Sequence, residues 1–206
     1  MKQGLKNGEI LPLMESFYTL QGEGFHSGKA AYFIRLSGCD VGCVWCDVKE
    51  SWTSSEDQIK SIEEITQMVV TTPSNFVVLT GGEPAMYNLS PLIQKLKESK
   101  MFVAIETSGV YPLNGAVDWY TFSPKKFKKP CSEAYVRANE LKVIIYNKSD
   151  FKWAKEHQTL VNPDCLLYLQ PEWGKLDEMV PLIIDFIKEN PNWQLSLQNH
   201  KYINIP

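Results

Sequence analysis

Three cysteines close together are the residues in this 206-residue sequence whose types and spacing could do chemistry. Cys39, Cys43 and Cys46 have the pattern C-x3-C-x2-C, so three thiolates can meet at one metal centre from a single loop. Thiolates at such short separations select zinc or an iron–sulfur cluster. Closed structural sites of either kind take four protein ligands. Three cysteines therefore leave one coordination position open for a small molecule.

Three other interpretations of the cysteine loop stay open. The loop could bind zinc with His26 as a fourth ligand, hold a cluster that only transfers electrons, or contain a disulfide. The remaining cysteines, Cys131 and Cys165, lie far along the sequence and have no partner at a ligand spacing. A total of five cysteines, three of them bunched, is not typical of a disulfide framework. We therefore expect a reducing, cytoplasmic location.

Composition and charge limit the class of protein. Hydrophobic residues make up 44% and charged residues 22%, as in ordinary globular proteins, and the length predicts one domain spanning residues 1–206. A net charge of −3 and a pI near 5.7 argue against a nucleic-acid-binding face. Apolar runs stay shorter than the ~20 residues that span a bilayer. The first residues lack the apolar core of a signal peptide. We expect neither a nucleic-acid nor a membrane partner.

The elements that must position these cysteines alternate between short apolar runs and helical patterns. The apolar runs predict strands at 30–36, 76–80, 102–106, 119–122, 141–145, 166–169 and 194–197. Capping signals and periodicity predict helices at 62–70, 90–99, 149–157 (with Ser149 as its cap) and 180–189. Such alternation is typical of an α/β fold with a parallel sheet. Because a full β/α barrel needs ~250 residues, the sequence predicts an incomplete, partial TIM-type barrel.

Polar motifs directly follow several of the predicted strands. They are Thr80-Gly-Gly-Glu-Pro84, Glu106-Thr-Ser-Gly109, Ser123-Pro-Lys125 and Gln170-Pro171. In a β/α barrel, the carboxyl ends of the strands carry the active site, so we expect one rim of ligand contacts. Glycines at 81 and 82 let backbone approach a ligand closely, and Glu83 offers an acceptor for an ammonium group. Each motif taken alone is also ordinary turn chemistry.

The cysteine pattern, with an aromatic residue before its last cysteine, resembles the cluster loop of the radical S-adenosylmethionine (SAM) enzymes. The Gly-Gly-Glu segment resembles the segment that contacts the methionine part of SAM in that superfamily. The resemblance implies a 4Fe-4S cluster on Cys39, Cys43 and Cys46, with SAM bound at its open iron. It also implies SAM contacts from Trp45, Cys46, Asp47, Gly82, Glu83, Ser108, Ser123, Pro124, Lys125 and Gln170.

A second signature precedes the strand at 30–36. Residues 17–24, Phe-Tyr-Thr-Leu-Gln-Gly-Glu-Gly, resemble the T-[IL]-Q-G-E-G signature of the 7-carboxy-7-deazaguanine synthases. These radical SAM lyases convert 6-carboxytetrahydropterin to 7-carboxy-7-deazaguanine and release ammonia. They belong to the queuosine pathway, which supplies a tRNA modification. Matching segments extend to the chain end. The resemblance implies substrate contacts from Leu20, Gln21, Gly22, Glu23, Arg35, Thr80 and Pro206. A planar guanidinium at Arg35 suits the substrate carboxylate.

The same resemblance implies how the reaction runs and which partners it needs. The cluster passes an electron to SAM, the resulting 5′-deoxyadenosyl radical takes a hydrogen from the pterin, and SAM is regenerated. No catalytic residue beyond the cofactors is implied. The implied partners are the pterin, an electron donor such as a flavodoxin or ferredoxin, and a second copy in a homodimer.

One position departs from the family pattern. Val48 stands where a Thr or Ser commonly ligates Mg2+ in this family, and valine offers no oxygen to a hard cation. Mg2+ is therefore an open expectation, with Asp47 as a substitute ligand.

Two rival functions stay open at this stage. A radical SAM activase of a glycyl-radical enzyme would share the cysteine loop, would not need the Gln-Gly-Glu-Gly segment, and would consume SAM. A zinc-stabilised binding module would have no enzymatic activity and would be colourless.

Overall fold

The computed structural model describes residues 2–206 and is organised around a nine-stranded sheet. The strands are β1 (Ile10–Leu20), β2 (Ala30–Leu36), β3 (Ile59–Ser61), β4 (Phe76–Gly81), β5 (Phe102–Thr107), β6 (Trp119–Phe122), β7 (Glu140–Ile145), β8 (Leu166–Pro171) and β9 (Trp193–Leu195). The α-helices are α1 (Lys2–Asn7), α2 (Ile62–Val70), α3 (Ser90–Glu98), α4 (Ser132–Arg137), α5 (Ser149–Gln158), α6 (Leu176–Glu189) and α7 (Asn199–Tyr202).

The sheet has the order β3-β1-β2-β4-β5-β6-β7-β8-β9. Every neighbouring pair from β2 to β9 is parallel. The strand β1 is antiparallel to both β2 and β3. Since β3 and β9 are the two edges, the sheet does not close on itself. The α/β class and the incomplete barrel are thus confirmed.

The two faces of the sheet differ in what they bury. Alternate residues such as Val103 and Ile105 pack outward against the helices in the large core. The inner face carries a small apolar cluster, mostly near the amino ends of the strands, formed by Ala31, Phe33, Phe76, Val78 and Ala104. Further along the same face the residues are polar or charged, including Arg35, Thr80, Glu106 and Lys142. The interior therefore has an apolar floor and a polar rim.

The predicted strands fall on observed strands, with ends that agree within two residues. The strands β1 and β3 were not predicted, so the strand at 30–36 is the second. Pro12 and Glu15 interrupt β1, and only three of its 11 residues are buried, which hides the period-two pattern. The helices α1, α4 and α7 were also missed because they are too short to show helical periodicity.

Two helix starts differ from the sequence prediction. The cap position of α5 is Lys148, and the Ser149 hydroxyl donates to Asn147 Oδ1 (2.7 Å) without capping the helix. The helix α6 begins at Leu176 and holds Pro181 in its second turn. The sequence predicted a start at residue 180, and the observed helix begins four residues earlier. Among residues 2–206, no helix is long and apolar enough to cross a bilayer.

Candidate active site

A cavity of about 430 Å³ opens at the carboxyl ends of the parallel strands. Its lining includes almost all of the predicted site residues: Leu20, Gln21, Gly22, Glu23, Arg35, Cys39, Cys43, Trp45, Cys46, Asp47, Thr80, Gly82, Glu83, Ser108, Ser123, Lys125, Gln170 and Pro206. The exception is Pro124, which is buried and does not line the cavity. The structure thus brings residues spread over the whole chain to one place, as the rim interpretation expects.

The cysteine loop forms one wall of this cavity. The Cys39 N–H donates to Trp52 O (3.1 Å), and the Trp52 indole N–H donates to Cys46 Sγ (3.3 Å). All five cysteines are free thiols. Burial raises the pKa of the Cys39 thiol and raises that of Cys43 to about 11. Burial thus favours the neutral thiols, and binding of a metal would favour the thiolates.

The arrangement of the thiols is one that an iron–sulfur cluster can use. Each cysteine of a cubane cluster binds its own iron, so the three sulfurs need not converge on one ion. An N–H bond to a ligating sulfur, such as that of Trp52, is also a feature that tunes iron–sulfur clusters. The three cysteines and the adjoining cavity fit a cluster with one open iron.

His26 cannot be the fourth ligand of a zinc site in this loop. Its ring contacts Phe76, Phe102 and Trp119, with centroids 4.6–5.6 Å away. Those three residues are the first residues of β4, β5 and β6, so His26 lies at the opposite end of the strands from the cysteines. That alternative is wrong.

The loop that follows β4 is hydrogen-bonded to the cysteine loop. The Gly82 N–H donates to Leu36 O (2.8 Å), and the Glu83 N–H donates to Gly38 O (2.9 Å). A Cβ added at Gly82 would lie 2.3 Å from Gly38 O and 2.8 Å from Cys39 Cβ. Glycine is therefore required here so that the two loops can touch.

We expect Gly82→Ala to lower the iron content of the purified protein several-fold, because the added methyl pushes Cys39 out of place. The measurement is iron per chain after anaerobic reconstitution. Gly174→Ala is the matched control, since its new Cβ would meet only the flexible Glu172 carboxylate at 3.3 Å. Equal iron content in both variants would contradict the packing argument.

Glu83 links the carboxyl ends of β4 and β5 through hydrogen bonds. Its side chain is buried, at 1% exposure. The carboxylate accepts from the backbone N–H of Ala85 (3.0 Å) and Ser108 (2.8 Å), and from the Thr107 and Ser108 hydroxyls. Each carboxylate oxygen thus already accepts two hydrogen bonds. The ammonium group of a ligand would have to displace one of the hydroxyls to reach it.

Lys125 supplies a half-buried cation beside the cysteines. Its ammonium donates to the Ser123 carbonyl oxygen (2.7 Å) and lies 5.7 Å from the centre of the Trp45 ring. Burial lowers the pKa of Lys125. Lys125 begins a lysine-rich run over residues 125–129. In this run, Lys126 pairs with Asp150 and Lys128 pairs with Asp40. The run is therefore not a continuous cationic patch.

Arg35 and Thr80 face the cavity from neighbouring strands in matched register. Arg35 Nε donates to Glu15 Oε1 (2.6 Å). In the described part of the chain, the two terminal guanidinium nitrogens have no hydrogen bond, so they are available for a ligand's carboxylate. Arg35 thus forms an ion pair through Nε and keeps its two terminal nitrogens for a ligand.

The last residues of the chain form part of the cavity wall. The Asn199 N–H donates to Gly22 O (3.0 Å), and the Ile205 N–H donates to His200 O (3.1 Å). These bonds bring the chain end at Pro206 to the cavity. The resemblance had implied this position, although terminal residues are usually poorly ordered.

Some lining residues were not predicted as site residues: Glu106, Lys142, Gln198, His200 and Lys201. Lys142 is the most informative of them, because a lysine within the apolar run of β7 is only 4% exposed. A charged residue inside an otherwise apolar strand was the signal that could have found it.

Comparisons with known proteins agree with this site. Residues 33–132 match the radical SAM superfamily. The chain is 54% identical to a 7-carboxy-7-deazaguanine synthase of Flavobacterium psychrophilum, over 98% of this chain and 96% of the relative. It is 46% identical to a Synechocystis protein of the same name, over 94% and 93% of the two chains. The crystal structure of QueE from Escherichia coli superposes with a TM-score of 0.85 at 32% identity, covering 96% of this chain and 98% of that one. The chain therefore belongs to the 7-carboxy-7-deazaguanine synthase family of the radical SAM superfamily.

Proposed function

We propose that this radical SAM enzyme converts 6-carboxytetrahydropterin to 7-carboxy-7-deazaguanine and releases ammonia. The observation that carries the proposal is the single cavity that joins the cysteine loop to Gln21, Arg35 and Thr80. A cofactor held at the cysteines and a carboxylate held at Arg35 would share one space, as a reaction between them requires. Membership of the superfamily implies a 4Fe-4S cluster and SAM.

The cofactor side of the cavity would be formed by the cysteine loop and the loops after β4, β5, β6 and β8. Cys39, Cys43 and Cys46 would each ligate one iron. Together the bound cluster and SAM supply a carbon-centred radical that can take a hydrogen atom from a C–H bond. The backbone at Gly82 and the hydroxyl and ammonium groups of Ser123 and Lys125 would orient SAM. The protein's own task is to position both molecules and to exclude water.

The substrate side would be formed by the loop after β1, the inner face of the sheet and the chain end. Arg35 would bind the pterin carboxylate through its two terminal nitrogens, which form a fork that suits a carboxylate. Gln21 and Glu23 would supply hydrogen-bonding groups for the ring. A Cβ added at Gly22 would lie 2.2 Å from His200 Nδ1. Glycine at this position therefore lets His200 approach the backbone, which keeps this part of the pocket narrow.

Four wider proposals concern the reductant, the domain, the oligomeric state and the location. The reductant would be a one-electron carrier such as a flavodoxin or ferredoxin, and Val44, at 66% exposure, brings the cysteine loop to the surface where such a carrier could approach. The uninterrupted sheet supports one radical SAM domain over residues 1–206. The homodimer rests on the family resemblance, and the free thiols support a reducing cytoplasm.

The proposed enzyme should respond weakly to Mg2+. Val48 lines the cavity without an oxygen ligand. Its neighbour Asp47 accepts from Lys201 Nζ (2.9 Å). Although burial acts to raise it, the pKa of Asp47 is lowered by this bond, so the carboxylate is ionised but already paired. Mg2+ demands a near-octahedral set of oxygens. We expect chelation to change wild-type turnover by less than about twofold.

Val48→Thr tests this directly, because the two side chains have similar shapes and threonine adds a hydroxyl. Turnover of the variant after chelation should rise on adding millimolar Mg2+. Val44→Thr is the matched control, since it adds a hydroxyl on the same loop outside the cavity. A large, saturable stimulation of the wild type would show that Val48 does not mark loss of the metal.

The proposed function is tested by anaerobic reconstitution followed by incubation with 6-carboxytetrahydropterin, SAM and dithionite. We expect one ammonia for each pterin consumed. A glycyl-radical activase would cleave SAM and leave the pterin intact. A zinc module would purify colourless with about one zinc and no iron. Either of these last results would reject the proposal.

A further inference from the structure

A buried lysine lies between two carboxylates in the polar part of the cavity lining. Lys142 projects from β7, and its ammonium contacts Glu23 Oε2 and lies 3.4 Å from Glu106 Oε2. Glu23 comes from the loop after β1, and Glu106 comes from β5. All three residues line the cavity. The sequence assigned a role to only one of them, Glu23.

The two carboxylates are held in equivalent ways. Gln198 Nε2 donates to the second oxygen of Glu23 (2.9 Å), and Gln21 Nε2 donates to the second oxygen of Glu106 (2.9 Å). In each carboxylate, one oxygen therefore accepts from Lys142 and the other accepts from a glutamine amide. A carboxylate can accept about four hydrogen bonds. Both groups thus keep unused acceptor capacity, and both line the cavity.

Other charged groups surround this cluster from every neighbouring element. On β7 itself, Glu140 points to the same inner face as Lys142, lies outside the lining of the large cavity and accepts from Phe25 N–H (3.1 Å). Burial raises the pKa of Glu140. His200 and Lys201 approach from α7, Asp47 from the cysteine loop and Lys125 from the segment after β6. Among these, Lys142 is the cation in direct contact with Glu23 and Glu106.

The electrostatic consequence of this contact is large. Burial alone would raise the pKa of Glu23, and the charge and hydrogen bond of Lys142 bring it down to about 2. Burial would lower the pKa of Lys142, but Glu106 and Glu23 raise it instead. Two carboxylates in a poorly solvated site without a cation repel each other, and one of them then holds a proton near neutral pH.

We propose that Lys142 is a positioning residue that keeps Glu23 and Glu106 ionised and fixed, so that both accept hydrogen bonds from N–H groups of the bound pterin. The inference rests on the proposed function for its ligand. A pterin ring carries several N–H donors along its edges, and a protonated carboxyl would present a donor where an acceptor is needed. Lys142 thereby favours N–H-rich ring systems over rings that present only acceptors.

The test uses Lys142→Met in the full-length, reconstituted protein. Infrared spectroscopy detects the C=O stretch of a protonated carboxyl without any ligand. We expect a pH-dependent carboxyl band near neutral pH in the variant and none in the wild type. The band should be lost in Lys142→Met/Glu23→Gln or in Lys142→Met/Glu106→Gln. These double variants keep the methionine at position 142 but remove one negative charge, so they separate a loss of ionisation from a packing defect at that position.

Binding provides the second readout. The affinity of Lys142→Met for 6-carboxytetrahydropterin should rise at least tenfold from pH 6 to pH 8. The wild type is measured in parallel and should show no such rise. This comparison cancels the effect of the ligand's own titration. Lys188→Met, which removes an exposed ion pair with Asp185, should show neither effect. A variant without the band, or with affinity lowered equally at all pH values, would overturn the role of Lys142. Failure of the wild type to bind the pterin would reject the proposed function, while the infrared result would still decide for or against the ionisation role.

Discussion

Cys43→Ala is expected to yield a folded protein that lacks the brown colour of a cluster, cleaves no SAM and forms no product. Cys43 is buried in the wall of the cavity, and burial raises its pKa to about 11, so burial favours the neutral thiol and a bound metal would favour the thiolate. A cluster that already lacks a fourth cysteine should be lost when only two cysteines remain. The measurements are iron per chain, the visible absorption spectrum and 5′-deoxyadenosine formation under anaerobic conditions.

Cys131→Ala is the matched control for this prediction. Cys131 is also a free thiol, but it precedes α4 and does not line the cavity. The control variant should keep wild-type iron content and activity. Full iron content in Cys43→Ala would contradict the assignment of the cluster to the cysteine loop.

Arg35→Lys is expected to weaken binding of 6-carboxytetrahydropterin at least tenfold while SAM binding is unchanged. Lysine keeps the positive charge but loses the two parallel N–H donors of the guanidinium fork. A lost charge-assisted hydrogen bond costs roughly 1.5–3 kcal/mol, and about 1.4 kcal/mol corresponds to a tenfold change in affinity. Equilibrium binding of the pterin and of SAM to the reconstituted enzyme measures both quantities.

Glu15→Gln separates a direct role of Arg35 from a structural one. This substitution removes the negative partner of the ion pair with Arg35 Nε and leaves the guanidinium in place. Because exposed ion pairs contribute about 0–1 kcal/mol, the variant should bind the pterin within about fivefold of wild type. If Glu15→Gln weakens binding as much as Arg35→Lys does, Arg35 acts through the ion pair and does not hold the carboxylate.

Local sequence patterns predicted the repeating part of the fold well. The strand β2 is an uninterrupted apolar run, and α2 begins with a capping box whose two hydrogen bonds are present. The strand β1 was missed because proline and glutamate interrupt its pattern and its burial depends on pairing with β2. Pairing between strands is a tertiary effect that single-sequence periodicity does not contain.

The candidate site was predictable where its residues are adjacent in sequence. The cysteine loop and the Gly-Gly-Glu segment are local motifs, and the structure brings both to one cavity. The Lys142 cluster was not predictable in the same way. Its partners Glu23 and Glu106 lie 119 and 36 residues away in the chain. Their contact exists only because β5, β7 and the loop after β1 meet inside the barrel.

The most direct test of the central claim is the number of product molecules formed per SAM. The reconstituted enzyme is incubated anaerobically with excess 6-carboxytetrahydropterin, a reductant and limiting SAM, and 7-carboxy-7-deazaguanine is quantified by mass spectrometry. We predict several molecules of product for each SAM supplied, because SAM is regenerated in the proposed reaction. Cleavage of all the SAM to 5′-deoxyadenosine, with the pterin left unchanged, would contradict the account.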